Sequence, residues 1–140
     1  MSKSKIIISN SNIPGAGLGV FTIDTIKQGA HLGTYQGIAY DPQEYVDNVN
    51  DQIIPGLYGF DVYSGSEPKI VDASDPIKSN WTRYMNCARD FREENVYWKD
   101  ENGEINFYAT KNIKPNEELL FYYGEDYAII LGIQYISPLY

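Results

Sequence analysis

The chain has 140 residues, 43% of them hydrophobic and 21% charged, which is enough for one domain with its own core and too apolar for a disordered segment. Eleven basic against 19 acidic side chains leave a net charge of −8, which argues against direct binding to nucleic acid and favours a cationic ligand or a Lys/Arg-rich peptide, or serves solubility alone. One cysteine, Cys87, excludes an internal disulfide and a multi-cysteine zinc site, no apolar run reaches the roughly 18 residues of a membrane span, and the first ten residues are too polar for a secretory signal. The expectation is a soluble intracellular protein with a single domain over residues 1–140, no metal and no membrane contact.

Ile6, Ile7 and Ile8 read as a first strand, closed by the polar run from Ser9 to Asn12. Gly15, Ala16, Gly17, Leu18 and Gly19 form a glycine-rich loop that leads into a second strand from Val20 to Ile23. The loop lacks the following helix of a dinucleotide fingerprint and the Lys-Ser/Thr pair of a phosphate loop. Its glycines either admit a ligand close to the backbone or make a plain turn. Leu32 to Ile38 and Leu57 to Val62 read as further strands. Asp41 as N-cap with Pro42 at the first helical position predicts a brief helix over 42–48. Asn102-Gly103 is the strongest turn signal and predicts a hairpin joining Val96–Trp98 to Ile105–Tyr108. A late strand over Glu118–Tyr122 and one or two helical turns over Asp126–Leu131 complete the series. Short strands with frequent turns, no long helical period and no repeat predict a mostly β domain with short helices. The tail, 134–140, is apolar and aromatic but contains Pro138, and reads as a docked arm or the remnant of a longer segment. Tyrosine outnumbers phenylalanine 13 to 5, a bias compatible with AT-rich coding in some large viruses, bacteria and protists.

Familiar hydrolytic centres are missing. His31 is the only histidine, no Ser-His-Asp or Cys-His set can be assembled around it, and no carboxylate pair has acid-base spacing. Chemistry concentrates instead in Asn80-Trp81-Thr82-Arg83-Tyr84-Met85-Asn86-Cys87-Ala88-Arg89-Asp90, a run without period, and in Glu118-Leu119-Leu120-Phe121-Tyr122-Tyr123-Gly124. Together with the glycine-rich loop, in that order, these segments resemble the SET domain of protein lysine methyltransferases, in particular its PR/SET branch. There the central motif reads much like NWMRYVNCAR and the late motif like ELLVWYG followed by an acidic pair and Tyr. The resemblance runs from about Ile13 to Ile133.

It implies a SET (β-clip) fold in which the central and late segments pack into a C-terminal pseudoknot whose backbone forms one wall of an S-adenosylmethionine site, with S-adenosylhomocysteine as product. By the same resemblance Asn86 and Cys87 contact that cofactor, and Ala16, Gly17 and Leu18 hold its amino-acid end. Tyr58 aligns with a further cofactor-contacting tyrosine if one residue is dropped from the following loop. Tyr123 matches the family's late catalytic tyrosine, and Tyr35 and Tyr108 match two channel tyrosines. Trp81 and Arg83 are assigned to structure, Tyr122 and Tyr127 to packing. A tyrosine ring walls an apolar channel and attracts methylammonium, while its hydroxyl orients an amine. The implied activity is lysine methylation of a basic peptide, a histone tail foremost, in the nucleus or a host nucleus, and otherwise in the cytoplasm. A non-histone substrate, or a PR-type interaction module without turnover, stays open. A homodimer is compatible with the short chain. Cys87 follows Asn86 where many SET enzymes have histidine, as in the PR branch.

Overall fold

The structure is a computed structural model that describes residues 6–138. The described residues divide into two compact units: one holds 6–32, Tyr84–Tyr97 and 108–138; the other holds Gly33–Arg83 and Trp98–Phe107. Among the described residues, ten short strands, two α-helices and two short 3-10 turns carry the units. Among the described residues no helix is long and apolar enough to cross a membrane.

In the first unit, β1 (Ile6–Asn10) pairs antiparallel with β2 (Leu18–Thr22), Ile6 opposite Thr22 and Asn10 opposite Leu18. The other edge of β2 receives the late segment: Leu119 donates its N–H to Val20 O at 2.8 Å, and Phe21 bridges Glu118. Val20, Met85, Val96, Ile113 and Leu119 are fully buried and make this unit's core. β7 (Asn86–Cys87) runs parallel to β10 (Leu120–Phe121), with Leu120 beside Asn86 and Phe121 beside Cys87.

Asn95 takes hold of the same late segment from another part of the chain. Its Nδ2 donates to Glu118 O at 2.8 Å, its Oδ1 accepts from Leu120 N at 2.9 Å, and its own N–H reaches Leu120 O at 3.1 Å. The late segment is therefore bonded to both arms of the 86–95 loop, which is the expected pseudoknot. The regular part of the late strand is only two residues long, shorter than the five expected. Its remaining backbone groups bond out of register to β2 and to a side chain, not along one ladder.

α2 (Glu125–Leu131) carries Glu125 and Asp126 in its first turn, where the helix dipole favours negative charge, and ends on Gly132 at φ 74°. Beyond it Ile136 donates to Arg89 O and accepts from Phe91 N, both at 2.9 Å. The described part of the tail is thus a docked arm. Its last two residues lie outside the described range.

In the second unit, β4 (Ile38–Tyr40), β6 (Glu67–Asp72) and β5 (Gly59–Ser64) form an antiparallel sheet in that order. α1 (Pro42–Asn50) follows β4 and buries Tyr45, whose hydroxyl donates to Asp72 Oδ1 at 3.1 Å. β6 escapes the sequence reading because Pro68 and three charged residues obscure its period. The strand expected over Leu32–Ile38 is broken into β3 (His31–Thr34) and β4. Between them Gly37 lies so close to β6 that a Cβ there would overlap Asp72 O, which leaves room for glycine alone. β8 (Val96–Glu101) and β9 (Glu104–Ala109), of which Trp98–Phe107 belongs to this unit, form the expected hairpin, with Asn102 at φ 58° and Gly103 at φ 87° as a type I′ turn requires. They lie in a sheet of order β3-β9-β8. Phe107 is fully buried and meets Tyr35 and Phe60 edge-on at 6.2 and 6.0 Å.

Candidate functional site

The glycine-rich loop is closed on itself. Ser11 N donates to Gly17 O at 2.8 Å, Ala16 N to Ile13 O at 3.2 Å, and Ile13 N to Ser11 Oγ at 3.0 Å. Gly15 and Gly17 both sit at φ 78°, and a Cβ on either would meet nothing within 4 Å. The loop therefore turns tightly while leaving bare backbone on one side, and Leu18 is exposed beside it.

Asn86 joins this loop to the pseudoknot. Its Nδ2 donates to Leu18 O at 2.8 Å and to Glu118 Oε2 at 3.2 Å. The Glu118 carboxylate is buried and also accepts from Ser11 Oγ at 2.7 Å and from Asn12 N at 2.9 Å. Gly19 is required opposite it, because a Cβ there would overlap Glu118 Oε2. Sequence reading missed Glu118 and Asn95. The available signal was an acidic residue heading an otherwise apolar late run, where a buried carboxylate must find donors.

Tyr123 follows β10 by two residues, in irregular backbone. Its N–H reaches Cys87 Sγ at 3.4 Å, its hydroxyl donates to Met85 O, and its ring packs against Phe121 at 5.0 Å and edge-on to Tyr127 at 6.5 Å. Cys87 is buried, and burial pushes its thiol above the usual range. Little thiolate then forms at neutral pH, so the native protein is expected to resist iodoacetamide while the urea-unfolded chain is alkylated, as intact-mass measurement would record. Rapid alkylation of the native chain would contradict the burial.

Tyr108 belongs to the same unit. It stacks on Tyr97 at 5.5 Å and meets His31 edge-on at 5.3 Å. Tyr35 and Tyr58 belong to the second unit and meet each other there: the Tyr35 hydroxyl donates to Tyr58 O at 2.6 Å. Tyr35 is buried against Phe60 at 4.9 Å. The Tyr58 ring carries the Arg83 guanidinium at 4.6 Å, and Arg83 also donates to Ala73 O and Ser74 O at 2.8 and 3.2 Å. Trp81 fills the space in front of Gly33. Both residues make their contacts here within the second unit. Of the expected site, Gly17, Leu18, Asn86, Cys87 and Tyr123 form one bonded series in the first unit.

Tyr122, left to packing, stacks on Tyr135 of the tail at 3.8 Å, and the Tyr135 hydroxyl bonds to Glu94. Burial and that carboxylate hold the Tyr135 phenol well above its ordinary value. The two rings line one wall of a groove of about 410 Å³ that also takes in Glu125 and Ile129.

A parallel pair of Asn86-Cys87 with Leu120-Phe121, held also by Asn95 and bonded through Asn86 to a glycine-rich turn, matches the SET class of fold. Within that class the chain belongs to the PR-domain family: the family profile described as "PR domain zinc finger protein 2, PR domain" matches residues 6–134. Over 128 residues the chain is 34% identical to human histone-lysine N-methyltransferase PRDM7, covering 91% of this chain and 25% of that protein. Over 120 residues it is 36% identical to histone-lysine N-methyltransferase set-17 of Caenorhabditis elegans, covering 86% and 41%. The solved methyltransferase domain of human PR domain-containing protein 2 superposes with a TM-score of 0.68 at 29% identity, over 89% of this chain and 81% of that one. The chain spans less than half the length of the curated relatives it matches. These relatives are animal proteins, and a viral or microbial origin draws no support from them.

Proposed function

We propose that this chain is the catalytic module of an S-adenosylmethionine-dependent protein-lysine methyltransferase acting on a basic peptide, a histone tail foremost. The observation that carries the reading is the committed hydroxyl of Tyr123: it donates to Met85 O, the carbonyl immediately before the Asn86-Cys87 strand. A phenol whose proton is spoken for presents oxygen lone pairs to an incoming N–H. That is the polarity needed to orient a lysine amine.

The donor fits the first unit's own groups. Gly15 and Gly17 keep a bare backbone surface at the loop, and Asn86 supplies a carboxamide beside it. Such a surface suits the charged amino-acid end of a small molecule, with Ala16, Gly17, Leu18, Asn86 and Cys87 as its holders. When bound, S-adenosylmethionine supplies an electrophilic methyl group on a sulfonium. The protein's part is to align and dehydrate the amine. A free lysine has a pKa of about 10.4, and loss of water together with the like charge of a bound sulfonium would disfavour its ammonium form, so a proton can leave through water without a dedicated base. Tyr108 and, in the second unit, Tyr35 and Tyr58 keep the channel and cofactor roles that the resemblance implies. The net charge of −8 favours a basic tail as substrate, and the relatives' names favour histones and therefore the nucleus.

The test is incubation of the purified protein with labelled S-adenosylmethionine and core histones, followed by mass spectrometry of the tails. Label on lysine supports the enzyme reading. Donor binding seen as a thermal shift, with no label on any protein lysine, would replace it with an interaction module that keeps the fold.

A further inference from the structure

The buried carboxylate of Glu118 takes no part in the chemistry proposed above, yet it accepts three donors from two segments that the site needs. It accepts from the Ser11 hydroxyl, from the Asn12 N–H and from the Asn86 carboxamide. We infer that Glu118 is a positioning residue for the methyl donor: it sets the orientation of the Asn86 carboxamide and ties the glycine-rich loop to it. This inference rests on the methyltransferase reading.

The argument is one of donor and acceptor counting. An ionised carboxylate only accepts, and a backbone carbonyl only accepts. Asn86 faces both at once, Glu118 Oε2 at 3.2 Å and Leu18 O at 2.8 Å. Only its NH₂ can satisfy them, so the amide cannot flip. Its Oδ1 is consequently directed away from both and is the atom Asn86 offers to a ligand. A carbonyl oxygen is a partner for an ammonium and a poor one for a carboxylate. Within the proposed donor, that singles out the α-ammonium of the amino-acid end. Glu118 holds the loop by the same means. Ser11 passes the bond on, since its Oγ also accepts from Ile13 N at 3.0 Å, and its N–H closes the loop on Gly17 O at 2.8 Å. Gly19 has no side chain because the carboxylate occupies that space.

Glu118→Gln keeps the shape but introduces an NH₂ where only acceptors are tolerated. At the Oε1 position that NH₂ would oppose the Asn12 N–H; at the Oε2 position it would oppose the Ser11 hydroxyl and the Asn86 NH₂, and the Asn86 amide would lose its fixed sense. Calorimetric titration is run with S-adenosylhomocysteine and with its analogue lacking the α-amino group, on the wild-type chain, Glu118→Gln and Ser11→Ala. For Glu118→Gln, affinity for S-adenosylhomocysteine is expected to fall about tenfold, affinity for the deamino analogue to change by less than about twofold, and lost turnover to be recovered by raising the donor concentration. Ser11→Ala removes one anchor of the loop and leaves the carboxylate, so it should lose about two- to fivefold for S-adenosylhomocysteine. It also provides the readout should Glu118→Gln fail to fold. Equal loss for both ligands would reduce Glu118 to a scaffold residue and overturn the assignment. So would a folded Glu118→Gln that binds as wild type, or, where that variant does not fold, a Ser11→Ala that binds as wild type. A wild-type chain that takes up neither probe would overturn the donor-binding reading itself, a result distinct from failure of the Glu118 assignment.

Discussion

Tyr123→Phe is expected to lower methyl transfer by about 100-fold or more, because misorienting a reacting group by even a fraction of its contact distance forfeits alignment of that order. The substitution removes one oxygen. It leaves the ring packed against Phe121 and edge-on to Tyr127, and the backbone N–H of residue 123 still reaches Cys87 Sγ. The lost bond to Met85 O costs about 1 kcal/mol of stability, the net worth of an ordinary protein hydrogen bond. The prediction therefore separates two quantities. Turnover measured with labelled donor should collapse, while the melting temperature and affinity for S-adenosylhomocysteine stay close to wild type. Near-normal turnover would mean that another tyrosine orients the amine. Tyr108 would then be examined first, since it shares the unit.

Asn95→Ala should be the costliest polar substitution in the first unit. Asn95 is buried, and its side chain satisfies Glu118 O and Leu120 N at 2.8 and 2.9 Å. Truncation strands both groups in a site that water does not reach. A buried polar group left without a partner costs about 1–3 kcal/mol, so the loss should be roughly 3 kcal/mol. For a chain of this size that is a fall in melting temperature of about 10 °C. Donor affinity should fall with it, because the strand released is the one that pairs with Asn86 and Cys87. Asn112→Ala is the control. Its Oδ1 also accepts a backbone N–H, from Gln28 at 2.9 Å, but at an exposed position. Water replaces the lost partner there, and the cost should stay below about 1 kcal/mol. Equal effects from the two substitutions would show that burial is not what makes Asn95 matter.

The residues explain why some features were legible and others were not. Asn102-Gly103 announces its hairpin because two consecutive positive-φ positions suit few other dipeptides, and the structure places both there. Pro42 marks the start of α1 for an equally local reason, although Asp41 makes no side-chain cap and the helix runs two residues past its expected end. The docking of the described part of the tail is carried by pairing of Ile136 with Arg89 and Phe91, which lie far from it in the chain.

The amino-acid sequence by itself determined the class of fold, the order of its motifs and the identity of the glycine-rich, Asn-Cys and tyrosine segments, since each is carried by neighbouring residues. Only the tertiary structure decided that Leu120 lies beside Asn86, that Asn95 holds the late strand, and that Glu118 gathers donors from Ser11, Asn12 and Asn86. The physical reason is that a buried polar atom must be satisfied by whatever the fold brings to it. Its partners here come from far along the chain, where no hydrophobic period or turn preference records them.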